Sequence, residues 1–220
     1  MERTTNITKA KEILGKNFIG PDELFSIKDK LGISFKNIKD IPLIPFSIDS
    51  LKYFKDSAIL ILLIPYYKDN TPLTLIKLRE HFGCDPSISQ PCFYNQDWYL
   101  KEDFANCTPS KLEWNLLNKN VLEKSRGKAP ETFSRIIPKN QILPTSFLCS
   151  FAFFSYYLYT KGEVLWETDY LWCADTDHLG DQIYVGRYLD TTGINKKGFS
   201  IHRHLSIKKQ YGLAGLILEN

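Results

Sequence analysis

No two cysteines in this chain are spaced to grip a metal or to staple a small fold. The five (Cys84, Cys92, Cys107, Cys149 and Cys173) are odd in number and include no CxxC pair, which argues against both a disulfide framework and a zinc knuckle. Cys149 and Cys173 fall inside apolar runs and read as small core hydrophobes. An apolar leader is missing too. Met1-Glu2-Arg3-Thr4-Thr5-Asn6 has no hydrophobic region of the secretory kind, so the expected home is a reducing cytoplasm. A membrane-length run is also absent. Phe147 to Tyr159 (FLCSFAFFSYYLY) is about 13 residues against the roughly 18 of a span, and Ser150 and Ser155 interrupt it. It reads as a central core helix, apolar on nearly all sides, and no membrane partner is expected.

Charge of one sign is equally scarce. Lys and Arg number 28 against 25 Asp and Glu, for a formal net charge of +3 and a pI near 8.5. The basic residues fall in separated groups: Lys208 with Lys209, Lys196 with Lys197, and Lys119, Lys124, Arg126 and Lys128. These read as solvated surface, and no strong nucleic-acid signal results. No GxxxxGK[ST], GxGxxG or GxSxG occurs, so nucleotide cradling and the hydrolase elbow have no support.

What is present is core-forming material: 43% hydrophobic and 14% aromatic residues. That suffices for a folded core without staples and argues against disorder. The expected fold class is α+β, with a helical N-terminal half around one central strand and a C-terminal core helix plus a mostly antiparallel sheet. Residues 8–14 predict a helix capped by Thr8 and stopped by Gly15. A second helix follows Gly20-Pro21 and ends at Gly32, and Ser47 caps a third that runs to Lys55. Ala58 to Ile64, stopped by Pro65, predicts a buried strand. Residues 73–82 return to helix, with Leu73, Ile76 and Leu78 towards the core and Gly83 at the end.

Residues 86–143 carry Pro86, Pro91, Pro109, Pro130 and Pro138 together with aromatic clusters, and read as loop-rich but ordered, with a strand at Glu113 to Leu117. From Pro144 the pattern changes. Thr145 caps the core helix, and strands are expected at Asp169 to Cys173, Gln182 to Leu189, Gly198 to Ile207 and Leu213 to Leu218, as an antiparallel meander or small mixed sheet. The three stretches, 1–85, 86–143 and 144–220, are expected to form one compact unit.

The run Phe199 to Ile207 alternates. Period two puts Phe199, Ile201, Leu205 and Ile207 on one face with Arg203 among them, and Ser200, His202, His204 and Ser206 on the other. Imidazoles two positions apart on one face, with Cβ atoms about 7 Å apart, can reach one ligand or one metal ion. The turn Asp175-Thr176-Asp177-His178-Leu179-Gly180-Asp181 can supply further groups. It begins like a calcium loop, but the twelfth position, where a bidentate Glu is needed, is Gly186. The candidate ligand-binding residues are therefore His202, His204, Asp175, Asp177, His178 and Asp181. In the metal version His202, His204 and Asp177 are the ligands. No cofactor is required by any motif, and a divalent metal is the one that fits these residue types. The blander reading is turn chemistry for the carboxylates and a solvated polar face for the histidines. Tyr94 to Tyr99 is a polar–aromatic patch that reads as loop packing. Glu102 and Asp103 behind it can act as an acid/base pair only if folded into a cleft.

The segment from Pro144 to Ile217 resembles the C-type-lectin-like fold of formylglycine-generating-enzyme-related and Fibrobacter major-paralogous-type domains. The resemblance rests on Leu143-Pro144-Thr145 opening a helix, Leu171-Trp172-Cys173-Ala174-Asp175, Ile183 to Tyr188 and Gly198-Phe199-Ser200-Ile201. The start Lys11 to Gly20 (KEILGKNFIG) is similar to that of a set of bacterial proteins and implies no activity. The catalytic cysteine pair of the formylglycine-generating enzymes has no counterpart here, so their oxidase chemistry is not implied. The resemblance implies display: a rigid sheet that presents loops to an unknown protein or small ligand. The functional expectation is a non-enzymatic recognition protein, and the alternative is a metal-dependent hydrolase that uses the His-x-His strand and the Asp-rich turn.

Overall fold

Capping chemistry decides where the first helices begin. In a computed structural model describing residues 4–186, 198–203 and 207–219, helix α1 spans Ile7–Leu14. Its cap is Asn6 rather than Thr8, because the Asn6 side chain accepts the Lys9 N–H. After the two-residue strand β1 (Phe18–Ile19), helix α2 (Pro21–Leu31) starts on its proline and ends at left-handed Gly32. Glu23 folds back to accept the Gly20 N–H at 3.0 Å, closing the first turn. Ser47 caps α3 (Ile48–Phe54) as expected, and β2 (Ala58–Leu63) is buried along its whole length. Helix α4 (Leu75–Phe82) starts two residues later than its apolar pattern implied. Thr74 takes the cap, while the N–H of the buried Leu73 goes to Pro65 O.

The middle of the chain supplies a short helix α5 (Asp103–Asn106), strand β3 (Glu113–Asn118), helix α6 (Phe133–Ile136) and strand β4 (Gln141–Ile142). Then comes α7 (Ser146–Thr160), the core helix. Eleven of its fifteen residues are buried, from Ser146 to Tyr156. Phe154 stacks on Phe82 of α4 at 4.0 Å between ring centroids, and Phe153 lies 4.6 Å from Phe199. No helix among the described residues is long and apolar enough to cross a membrane; α7 instead spends its apolar surface on helix and sheet neighbours.

The remaining strands are β5 (Tyr170–Thr176), β6 (Gln182–Gly186), β7 (Ser200–His202), β8 (Tyr211–Gly212) and β9 (Leu216–Ile217). They do not form one meander. One four-stranded sheet has the order β7-β6-β5-β8, with antiparallel pairs except for the parallel β5–β8 pair. Strand β9 leaves it for the other sheet, ordered β1-β2-β3-β9-β4, where Leu216 and Ile217 pair with Leu117 and Leu116. Of the expected strand at Leu213 to Leu218 only Leu216–Ile217 is strand, and it serves the other sheet, while β8 ends just before that span. Its residues carry no local signal of which partner they will meet. The parts of the expected strands at 187–189 and 204–206 lie outside the described residues. The chain is α+β, and its front and back share a sheet.

One close approach ties the loop-rich middle to the second sheet. Phe93 and Phe199 form a parallel bridge, with Tyr94 N donating to Phe199 O and Phe199 N to Cys92 O. Gly198 sits beside it at φ +142, where an added Cβ would lie 2.5 Å from Tyr94 N. Only glycine fits that approach. The contact delivers the segment after Tyr94, with Gln96, Trp98 and Glu102, to the edge of β7.

Candidate functional site

Turn chemistry comes first. Asp177 lies just past β5 with its side chain buried. Its Oδ1 accepts the N–H groups of Leu179 (2.9 Å) and Asp181 (2.8 Å), while its own N–H goes to Asp181 O. One carboxylate oxygen thus builds the turn, with Gly180 at φ +86 allowing it to close. The other oxygen, Oδ2, accepts from the Arg203 guanidinium. Burial pushes the Asp177 carboxyl towards a higher pKa. The N–H of Asp181, the Arg203 guanidinium and the N–H of Leu179 outweigh it, so the pKa lies below the usual value.

Around this pair a network closes. Glu102, 7% exposed and at the start of α5, accepts the His178 backbone N–H through Oε2 (2.9 Å). His178 Nδ1 lies 2.8 Å from Glu102 Oε1. Arg203 Nη1 comes within 3.5 Å of that same oxygen, and its guanidinium carbon sits 4.5 Å above the Trp98 ring. Trp98 is held in turn by donating to Ile201 O at 3.2 Å. Together with Lys101, Asp103 and Thr176 these residues line a cleft of about 540 Å³, within the ~300–1,000 Å³ range of ligand sites. No Ser or Cys nucleophile is among its described lining residues.

The six residues singled out from the sequence do not converge. Asp177 and His178 enter this cleft. Asp175 instead turns to α7, where its carboxylate accepts the Ser146 N–H at the helix N-terminus. Asp181 lines a separate hollow with Glu131, Trp172 and Gln182. His204 lies outside the described residues. His202, the last residue of β7, points to the opposite side from Arg203, which follows it, and so away from Arg203's partner Asp177. Its ring stacks on Tyr184 (centroids 5.6 Å apart) and accepts from Gln96 Nε2 at 3.0 Å. Burial there pulls its pKa down to about 4, so it is a neutral imidazole at neutral pH.

The residue that pattern reading passed over is Arg203. Its position on the apolar face of the run was the available signal, since a charge placed there needs a buried partner. That partner is Asp177. Glu102 and Trp98 stood out in the sequence as acid/base and packing candidates; the bridge at Phe93 and Phe199 is what brings them here.

A cation could find donors in this place. One ligand atom each from Glu102, Asp177 and His178 lie within 4.8 Å of one another, the one such cluster among the described residues. Yet Arg203 already lies against both carboxylates and supplies positive charge there, so a metal ion would have to displace a guanidinium stacked on Trp98. No family model, curated protein or solved structure matches this chain.

Proposed function

We propose that the protein is a recognition module, which takes a small polar ligand in the cleft beside β7 with His178 as the contacting group. One observation carries this reading. Asp177, Glu102 and Arg203 are committed to partners inside the protein, whereas His178 is clamped through Nδ1 and leaves 63% of its side chain exposed. A carboxylate on Nδ1 favours the tautomer with its proton there, leaving Nε2 as an acceptor aimed at a ligand donor. The described lining holds no Ser or Cys, which favours binding over Ser- or Cys-based turnover. The resemblance of residues 144–217 to lectin-like display domains points the same way. The test is ligand-observed NMR of the full chain with a panel of monosaccharides, polyols and amino acids. Hits should weaken at least tenfold in His178→Ala, and hits indifferent to that change would sink the proposal.

The second reading, a metal-dependent hydrolase, is favoured by the Glu102–Asp177–His178 cluster, with Glu102 in place of the expected histidine pair. Calorimetric titration with zinc and with manganese separates the two. Saturable binding abolished by Glu102→Gln would favour the hydrolase, and its absence favours the recognition module.

A further inference from the structure

On the other side of α5 lies a second recess, where the start of β3, the first turn of α7, the end of β5 and β9 meet. It holds about 320 Å³, at the small end of the ligand-site range. Phe104, Phe147, Leu148 and Leu216 form much of its wall. Ile142 at its lip is 46% exposed, an apolar side chain left in water. Two carboxylates, Glu113 and Asp175, stand in this apolar lining, and no Lys, Arg or His accompanies them among the described residues.

Neither carboxylate has an internal counter-charge. None of the ion pairs among the described residues includes Glu113 or Asp175. Asp175 uses Oδ2 on the Ser146 N–H, and its other oxygen has no partner among the described residues. The contrast with the neighbouring cleft is direct, because there Arg203 neutralises the acids from within. An apolar hollow with two uncompensated acids at its wall repels anions and gives a neutral hydrocarbon nothing to balance. An apolar body carrying one positive charge fits both features.

We infer that this recess binds a small apolar amine, a primary ammonium on a short aliphatic or aryl group, with the ammonium at Glu113 and Asp175 and the body against Phe104, Phe147, Leu148 and Leu216. The site is separate from the His178 cleft and does not depend on the function proposed for it.

Three probes of equal length test it on the full chain at neutral pH: n-hexylamine, 1-hexanol and hexanoate, each followed by ligand-observed NMR. Hexylamine should bind at least tenfold tighter than hexanoate and several-fold tighter than hexanol. Glu113→Gln should collapse that preference without abolishing hexanol binding. Asp175→Asn should do the same while its amide oxygen keeps the Ser146 N–H. Ala174→Leu, an exposed lining position, adds bulk at the recess and should weaken all three probes. His178→Ala should change none of them. Cys107 gives an independent readout, since its thiol is exposed and lines the recess while Cys92, Cys149 and Cys173 are buried. In a Cys84→Ser background, hexylamine should slow its reaction with a disulfide reagent. Equal affinities for the three probes, or a charge preference that survives both carboxamide variants, would overturn the inference. So would no binding of hexylamine at all.

Discussion

At the end of β7 two successive side chains solve the problem of a polar group beside a sheet in opposite ways. On one side Arg203 keeps its charge and is matched by Asp177, Glu102 and the Trp98 ring. On the other, His202 gives its charge up, neutral between Tyr184 and Gln96. The two residues are adjacent in sequence. What separates them is whether the facing element brings a counter-charge or only aromatic surface and an amide, and a charge without a counter-charge is the costlier state by far.

Removing the counter-charge should therefore produce the largest effect. Asp177→Ala strips Arg203 of its nearest partner and leaves the Leu179 and Asp181 N–H groups without their acceptor. A loss of about 3 kcal/mol is expected in urea unfolding, in the range for breaking a buried pair and tempered by the partial exposure of Arg203. Asp177→Asn keeps an acceptor for the turn and removes only the charge, so it should cost about half as much. Equal losses in the two variants would mean that the turn, not the ion pair, carries the stability.

A second measurement works on the other side. His202 titrates near 4 when folded, against an ordinary 6.5, because burial penalises the imidazolium. Its folded pKa is lowered, so between those values the unfolded chain binds a proton that the folded chain does not. Stability is then complete above about pH 6.5 and falls as the solution is acidified to pH 4, by about 3 kcal/mol. Asp177 behaves differently. Its folded carboxyl lies below 3.8, so its contribution is intact above that pH and is lost only below it. His81, also depressed by burial, adds to the first window. The difference between wild type and His202→Phe isolates the His202 share. That variant should flatten the slope between pH 6.5 and 4 and leave the steeper loss at lower pH. An unchanged slope would show that His202 is solvated in solution.

How much of this was legible follows from the range of the forces involved. The caps at Ser47 and Thr145, the Gly20-Pro21 start of α2 and the buried run of β2 are local events, set by residues within a turn of each other, and the sequence displays them. The alternation of Phe199, Ile201 and Arg203 against Ser200 and His202 is local too, and it gives the right faces. Which element meets each face is decided by pairing across large sequence separations. The Glu102–His178 contact joins residues 76 positions apart, and β9 reaches β3 across most of the back half of the chain. Nothing in Leu216-Ile217 encodes that choice. The Asp-rich turn was misleading for the same reason. Its carboxylates look like one cluster along the chain, yet β5 and the turn direct Asp175 to a helix N-terminus, Asp177 to Arg203 and Asp181 to the opposite hollow.

The smallest expected effect on stability is the one that bears most on function. His178 and His202 have opposite exposures and partners, and so should answer opposite questions when removed. His178→Ala loses a ring that is 63% exposed and a single contact to Glu102 Oε1. Glu102 Oε2 retains the backbone N–H of residue 178, which the substitution does not touch. Arg203 also remains beside the freed oxygen at 3.5 Å. An exposed side chain with a contact so readily replaced is worth no more than about 0.5 kcal/mol. Urea unfolding of His178→Ala should therefore superimpose on wild type within that margin, while binding in the cleft is lost. A drop of 2 kcal/mol or more, well above the ~0.5 kcal/mol ceiling for such a site, would make His178 a structural clamp on α5. The Glu102–His178 contact would then belong to the fold, and the cleft would lose the group proposed to face its ligand.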